Sequence, residues 1–139
     1  KVPRYDLKGK KILKVNEKYY VEDHGFREAL TANNSGEIQK VLENIVYMEM
    51  LSRGYQILIG KREDKEIDFI CTKNREKIYI QVAYLLPNQK TVEREFSVFD
   101  KINDNYQKIV LSLDDFDFSR RGIEHHNLID FLMKNYGER

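Results

Sequence analysis

Two acidic side chains and one amide stand where chemistry on a phosphate could be assembled. Asp68 lies in Glu66-Ile-Asp-Phe-Ile70 and Gln81 in Ile80-Gln-Val82, two short apolar runs in succession, while Glu43 lies upstream in a stretch of helical spacing. Along an extended chain alternate side chains share a face. Glu66, Asp68 and Ile70 are therefore expected on one side, Ile67, Phe69 and Cys71 on the other, and Tyr79, Gln81 and Ala83 together. If the two runs pair with Asp68 opposite Gln81 and the helix carrying Glu43 covers them, two carboxylates and an amide oxygen converge. Hard oxygen ligands of this kind suit Mg²⁺ or Mn²⁺, which organise phosphate and activate water. Glu49 falls nearer the middle of the Ile38/Leu42/Ile45 stripe, so periodicity alone does not choose between Glu43 and Glu49 as the helix acid.

The other reactive side chains carry less. Cys71, the single cysteine, has no partner for an internal disulfide and reads as a small buried strand residue. His125 and His126 are neighbours that point to opposite sides of an extended chain, and His24 stands alone beside a turn glycine, so all three read as surface or capping residues. Tyr19, Tyr20, Tyr47, Tyr79 and Tyr84 could stack on bases, although tyrosine on a strand more often packs. Gly54 to Gly60-Lys61 has five residues between its glycines, no following Ser or Thr, and strand character, so it is not a phosphate-binding P-loop.

The elements that must position these groups follow from periodicity. Residues 1–23 alternate and turn at Asn16-Glu17, which predicts a small hairpin of residues 11–15 and 18–23. Residues 25–30 read as a short helix or turn and 31–36 as a loop. Residues 37–53 form a helix on Ile38, Val41, Leu42, Ile45 and Met48, stopped by Gly54. Three strands over residues 55–60, 66–71 and 77–85, with short breaks, imply an antiparallel meander. Val92, Phe96, Phe99, Ile102 and Tyr106 predict an amphipathic helix over 91–106. Residues 108–113 read as an interior strand parallel to its partner, 123–126 as a short edge strand, and Asn127 as the cap of a last helix through Tyr136. The whole is an α/β fold in which an αβββαβ core with a mixed sheet is flanked by helices; residues 1–35 form an N-terminal hairpin segment and 36–139 the main domain.

Composition bounds the function. At 139 residues and 41% hydrophobic the chain suits one core. A net charge of +1, from 24 basic and 23 acidic residues, gives no global pull toward nucleic acid. Residues 1–20 nevertheless hold seven basic side chains against Asp6 and Glu17, a local excess that suits phosphate or a solvated linker. No apolar run approaches the ~20 residues of a membrane span, and Lys1-Val-Pro-Arg-Tyr5 has neither a signal-peptide core nor Met. A cytoplasmic piece of a longer protein is expected.

The order αβββαβ with a helix Glu, Asp68 in Glu-Ile-Asp-Phe, and Gln81-Val-Ala83 resembles the PD-(D/E)XK nuclease-like superfamily. Lys18-Tyr-Tyr-Val-Glu-Asp-His-Gly25, Leu42-Glu-Asn44, Leu51-Ser-Arg-Gly54-Tyr and Gly122-Ile-Glu-His-His-Asn-Leu-Ile-Asp-Phe-Leu132 are similar, more closely, to the C-terminal domain of a group of bacterial and archaeal AAA-type ATPases. The resemblance covers nearly the whole chain. It implies a separate ATPase domain as partner, and implies Glu43 as helix acid, Asp68 as metal-binding acid, Gln81 as the Glu/Gln of the last motif and Ala83 at the position of the catalytic Lys. A cation there would face developing phosphorane charge, and losing a comparable stabiliser costs on the order of 10² to 10³ in rate. A catalytically degenerate domain that binds or regulates, through DNA or a protein partner, is therefore expected. The alternatives are a Mg²⁺- or Mn²⁺-dependent endonuclease with a displaced lysine, Lys65 or Lys77, and an oligomerisation scaffold.

Overall fold

The structure, a computed structural model, describes residues 2–6, 11–18 and 35–134. The expected turn at 25–30, the loop up to residue 34, His24, Tyr19, Tyr20 and Tyr136 lie outside the described residues.

The first long helix, α1 (Ser35–Ser52), buries Leu42, Val46 and Met50, spaced four apart, together with Val41, and so covers one side. Gly54 ends it. With φ at 91°, Gly54 donates to Leu51 O (2.9 Å) while Tyr55 donates to Met50 O (3.1 Å), the pair of bonds that closes a helix through a left-handed residue. The chain then enters the meander of β3 (Gln56–Arg62), β4 (Lys65–Lys73) and β5 (Glu76–Val82), antiparallel throughout. Each connection is two residues long and opens on a left-handed residue, Glu63 (φ 57°) and Asn74 (φ 55°), as tight hairpins require.

After β5 the chain crosses through α2 (Gln89–Phe96) and returns as β6 (Gln107–Ser112), parallel to β5 with Ile80 beside Ile109. The last strand, β7 (Glu124–Asn127), pairs in parallel with β6 at the sheet edge, and α3 (Leu128–Lys134) follows, with Asn127 accepting from the Asp130 N–H at 3.1 Å. The mixed sheet of β3 to β7 is extended by β1 (Val2–Asp6), parallel to β3, and β2 (Lys11–Lys18), giving the order β2-β1-β3-β4-β5-β6-β7.

Three expectations are corrected. The N-terminal hairpin pairs β1 with β2, and β2 runs straight through Asn16 and Glu17, because neither residue enforces the left-handed backbone of a tight turn. The helix expected over 91–106 stops at Phe96. Asn88 caps its start, accepting from Thr91 N at 2.9 Å, and after a 3₁₀ turn at Ser97–Phe99 the chain is anchored by Asp104, whose carboxylate takes the Tyr79 hydroxyl (2.6 Å), the Lys108 ammonium (2.8 Å) and the Tyr106 N–H (3.0 Å). Short polar side chains that bond local backbone compete with helix, and here they win.

The third correction concerns strand alternation. Leu58 stands opposite Ile70 but Gly60 opposite Ile67, so β4 carries one residue more than β3 between those points. This bulge at Asp68 and Phe69 puts Ile67 and Ile70 into the same apolar layer, although strict alternation separates them. The sheet is covered on both faces. Leu42, Val46 and Met50 of α1 and Leu128 and Phe131 of α3 pack with Ile59, Phe69, Ile80, Val82 and Leu111; on the other face Val92 and Phe96 of α2 pack with Ile67, Ile70, Tyr79, Ala83 and Val110. Each fully buried Ile, Leu or Phe of this kind contributes roughly 1.5–3 kcal/mol.

Gly60 lies beneath the bulge. A Cβ there would meet Ile70 Cδ1 at 3.0 Å and Ile67 Cβ at 3.1 Å, and the second atom cannot swing away. Gly60→Ala is expected to destabilise the fold by about 1–3 kcal/mol, read from the denaturation midpoint; an unchanged or raised midpoint would show that the bulge yields to a side chain.

Candidate functional site

The register carries Asp68 and Gln81 to opposing positions, one step beyond the Phe69–Ile80 pair where the ladder of β4 and β5 begins. Instead of continuing the backbone ladder, each residue uses its side chain. Gln81 Oε1 accepts the Asp68 N–H at 3.0 Å, and Asp68 Oδ2 accepts the Val82 N–H at 2.8 Å. Both residues are 7% exposed. The bulge is the local cause: an extra residue throws the backbone groups of Asp68 out of step with their neighbours, and a buried N–H needs an acceptor.

Gln81 alternates with Ile80 and Val82, whose side chains belong to the α1 layer, so Gln81 faces α2. There its amide meets Glu95, a residue that belongs to none of the sequence motifs. Its signal was present in the sequence: Glu95 falls three residues after Val92 and four before Phe99, in the middle of the apolar stripe of α2. Burial raises the Glu95 carboxyl above the usual carboxylate range, only partly offset by the Arg94 guanidinium at 4.0 Å and the Gln81 amide.

The remaining site residues are placed as follows. Glu43 is half-buried on α1, in the layer across the sheet from Glu95, with the Gln39 amide 3.5 Å from its Oε2. Glu49, the other helix acid considered, holds Arg53 Nε at 2.7 Å in a pair largely hidden from solvent. Ala83 is 2% exposed and belongs to the apolar layer with Leu86, Val92 and Phe96. Lys65 donates to Ser97 Oγ at 3.2 Å, and Lys77 stands at the other end of β5, near Tyr79 and Tyr106. Among the described residues no group of three His, Cys, Asp or Glu is placed to hold a metal ion. Cys71 is fully buried, as its strand position suggests, and burial pushes its thiol up to about 12.

A second buried polar cluster carries no signal in the sequence pattern. His125 is 4% exposed, which corrects the surface role expected of it. Its Nδ1 accepts the Phe118 N–H at 3.1 Å, which assigns the proton to Nε2, 2.8 Å from Ser112 Oγ; the Ser112 hydroxyl in turn donates to Asp114 Oδ2 at 2.7 Å. Ser112 thus gives its proton to a carboxylate and receives one from the imidazole, the reverse of an activated nucleophile, and it is fully buried. Burial lowers the His125 imidazole, outweighing the pull of Asp114 and Asp117. The cluster ties the ends of β6 and β7 to the loop between them. His126 pairs with Glu124 at 2.9 Å and remains partly exposed, and Tyr47 and Tyr79 pack in the two layers.

No protein-family model and no solved structure matches the chain. It is 38% identical over 135 residues to an uncharacterized protein of Haemophilus influenzae, a match that takes in 96% of the chain and 33% of that protein. It is 33% identical over 89 residues to the uncharacterized protein MJ1544 of Methanocaldococcus jannaschii, covering 60% of the chain and 19% of that protein. The chain therefore spans a third or less of the curated relatives it matches.

The buried Glu95 sets a pH dependence. Its pKa is raised in the folded state, so its contribution is fully present below the unfolded carboxyl range and is lost as pH rises through the higher folded value. Glu95→Gln should match the natural chain in acid and be the more stable of the two near neutrality, followed by thermal melts across pH; equal stability at neutral pH would show that the ionised carboxylate is fully compensated.

Proposed function

We propose that the chain is a nuclease-like α/β domain that has lost catalysis and serves as a binding or regulatory module of a larger, ATP-driven protein. The observation that carries this reading is the network of Asp68, Gln81 and Glu95 beside a buried Ala83. One Asp68 oxygen and the Gln81 amide oxygen are taken up by backbone N–H groups, Asp68 Oδ2 by Val82 and Gln81 Oε1 by Asp68. The place of a catalytic cation is filled by a methyl group inside an apolar layer. Neither lysine that could substitute for it is directed to the network: Lys65 is held by Ser97, and Lys77 is separated from Gln81 by four residues of extended chain, about 13 Å. A Mg²⁺ or Mn²⁺ centre on Glu43, Asp68 and Gln81 does not fit this bonding, and the groups serve the sheet instead.

The restriction-endonuclease-like topology belongs to the same proposal. It is supported by the run α1, β3, β4, β5, α2, β6, which has the helix, three strands, helix and strand of that core in order. Membership in an ATPase rests on the motif resemblance, and it agrees with the two thirds of the Haemophilus influenzae protein that lie outside the match, room enough for a nucleotide-hydrolysing domain.

The test is incubation with supercoiled plasmid and Mn²⁺ alongside Asp68→Ala. No metal-dependent cleavage is expected from either chain, while the variant should lose about 1–3 kcal/mol of stability because the buried Val82 N–H is left without its acceptor. Mn²⁺-dependent nicking by the natural chain that Asp68→Ala abolishes would overturn the proposal in favour of an endonuclease.

A further inference from the structure

At the end of β5 away from Gln81, a pocket of about 420 Å³ opens between the meander, the segment before β6, and α3. Its size is that of a small-molecule site. Ile78 and Phe131 form an apolar floor, and Tyr55 and Tyr106 stand as aromatic walls, with Glu76 and Lys77 at the rim. Arg53, which also lines the pocket, is already committed: it binds Glu49 at 2.7 Å and stacks on Phe131 at 4.8 Å. The cation at the mouth is disposed differently. Lys77 Nζ lies 5.1 Å from the Tyr106 ring centroid, whereas Lys73, outside the pocket lining, donates to Arg53 O at 2.8 Å beside the Tyr55 ring. Among the described residues no carboxylate pairs with Lys77. Tyr106 is 44% exposed although it is large and aromatic, and Glu76 accepts the Tyr55 hydroxyl at 3.2 Å, which fixes that wall.

We infer that this pocket binds a nucleotide, with the base against Tyr106 and the phosphate at Lys77. Every nucleobase has a flat apolar face that stacks on an aromatic ring and a phosphate one sugar away, and the pocket presents the exposed Tyr106 ring with the Lys77 ammonium beside it. The inference does not need a globally basic chain, since the recognition is local and the net charge is only +1. It gives the binding-module reading a ligand class and rests on that reading for its purpose. The nucleotide is either free or one unit of a single strand, and the two sources share this chemistry.

The test is fluorescence anisotropy of a labelled single-stranded oligoadenylate with the chain, competed with 5′-AMP, and a gel of the probe after each titration. Tyr106→Ala is expected to weaken binding about 5- to 150-fold while Tyr106→Phe, which keeps the ring, stays within about twofold. Lys77→Ala should reduce the salt slope by about one phosphate, and Phe116→Ala, an exposed ring outside the pocket, should behave as the natural chain. Competition by 5′-AMP identifies a free nucleotide as ligand, and its failure identifies a strand; both support the site. Absence of binding by both probes, or unchanged binding by Tyr106→Ala and Lys77→Ala, overturns it. A probe that is degraded in the presence of Mn²⁺ yet still responds to Tyr106→Ala would retain this site and overturn the non-catalytic reading instead.

Discussion

The central constraint in this fold is the need to satisfy backbone N–H groups where β4 bulges against β5. An unpaired buried donor costs about 1–3 kcal/mol, comparable to a large share of a small domain's net stability. Asp68 and Gln81 meet that need reciprocally, each side chain taking a backbone N–H from the opposite strand. Once so engaged they determine what surrounds them. Gln81 turns its amide toward α2 and draws in Glu95, and the chain beyond it leaves β4 while continuing its pairing with β6, where the Ala83 N–H donates to Leu111 O at 2.8 Å.

The two apolar layers depend on the same irregularity. Without the extra residue, Ile67 would fall on the side of Phe69, and the α2 layer would lose a fully buried side chain beneath Gly60. The bulge therefore fits one strand to two helices that approach the sheet from opposite faces. The Ser112, Asp114 and His125 cluster does related service at the other end of the parallel strands, fixing the loop that carries β6 to β7. Both polar clusters bond backbone groups of the sheet and its loops, and the proposed ligand site lies apart from them, at the aromatic pocket beside Lys77.

Much of this was legible in the chain. The helix over Ile38, Leu42 and Ile45, the meander, the parallel return to β6 and the cap at Asn127 all follow from periodicity and turn chemistry, because hydrophobic spacing records burial directly. The opposition of Asp68 and Gln81 was likewise foreseeable from two consecutive strands. The bulge was not: it depends on the register of β4 against β3, a non-local quantity, and it falsified the sorting of Glu66, Asp68 and Ile70 onto one face. The expectation of a helix through residue 106 fails because Phe99, in the 3₁₀ turn, and Ile102, beyond it, still pack toward the core, which mimics helical spacing. His125 departs from its expected surface or capping role because two adjacent histidines on a short edge strand reveal nothing of the loop that folds over one of them.

The claim on which the account turns is that the Asp68 carboxylate is an acceptor for the Val82 amide and not a ligand for a metal. The most direct measurement is the amide spectrum of the isotopically labelled chain titrated with Mn²⁺, whose paramagnetism erases signals close to a bound ion. The account predicts that the amides of Asp68, Gln81 and Val82 keep their intensity while amides near exposed carboxylates fade gradually and nonspecifically. Early, selective loss of those three signals, reversed by Mg²⁺, would contradict it.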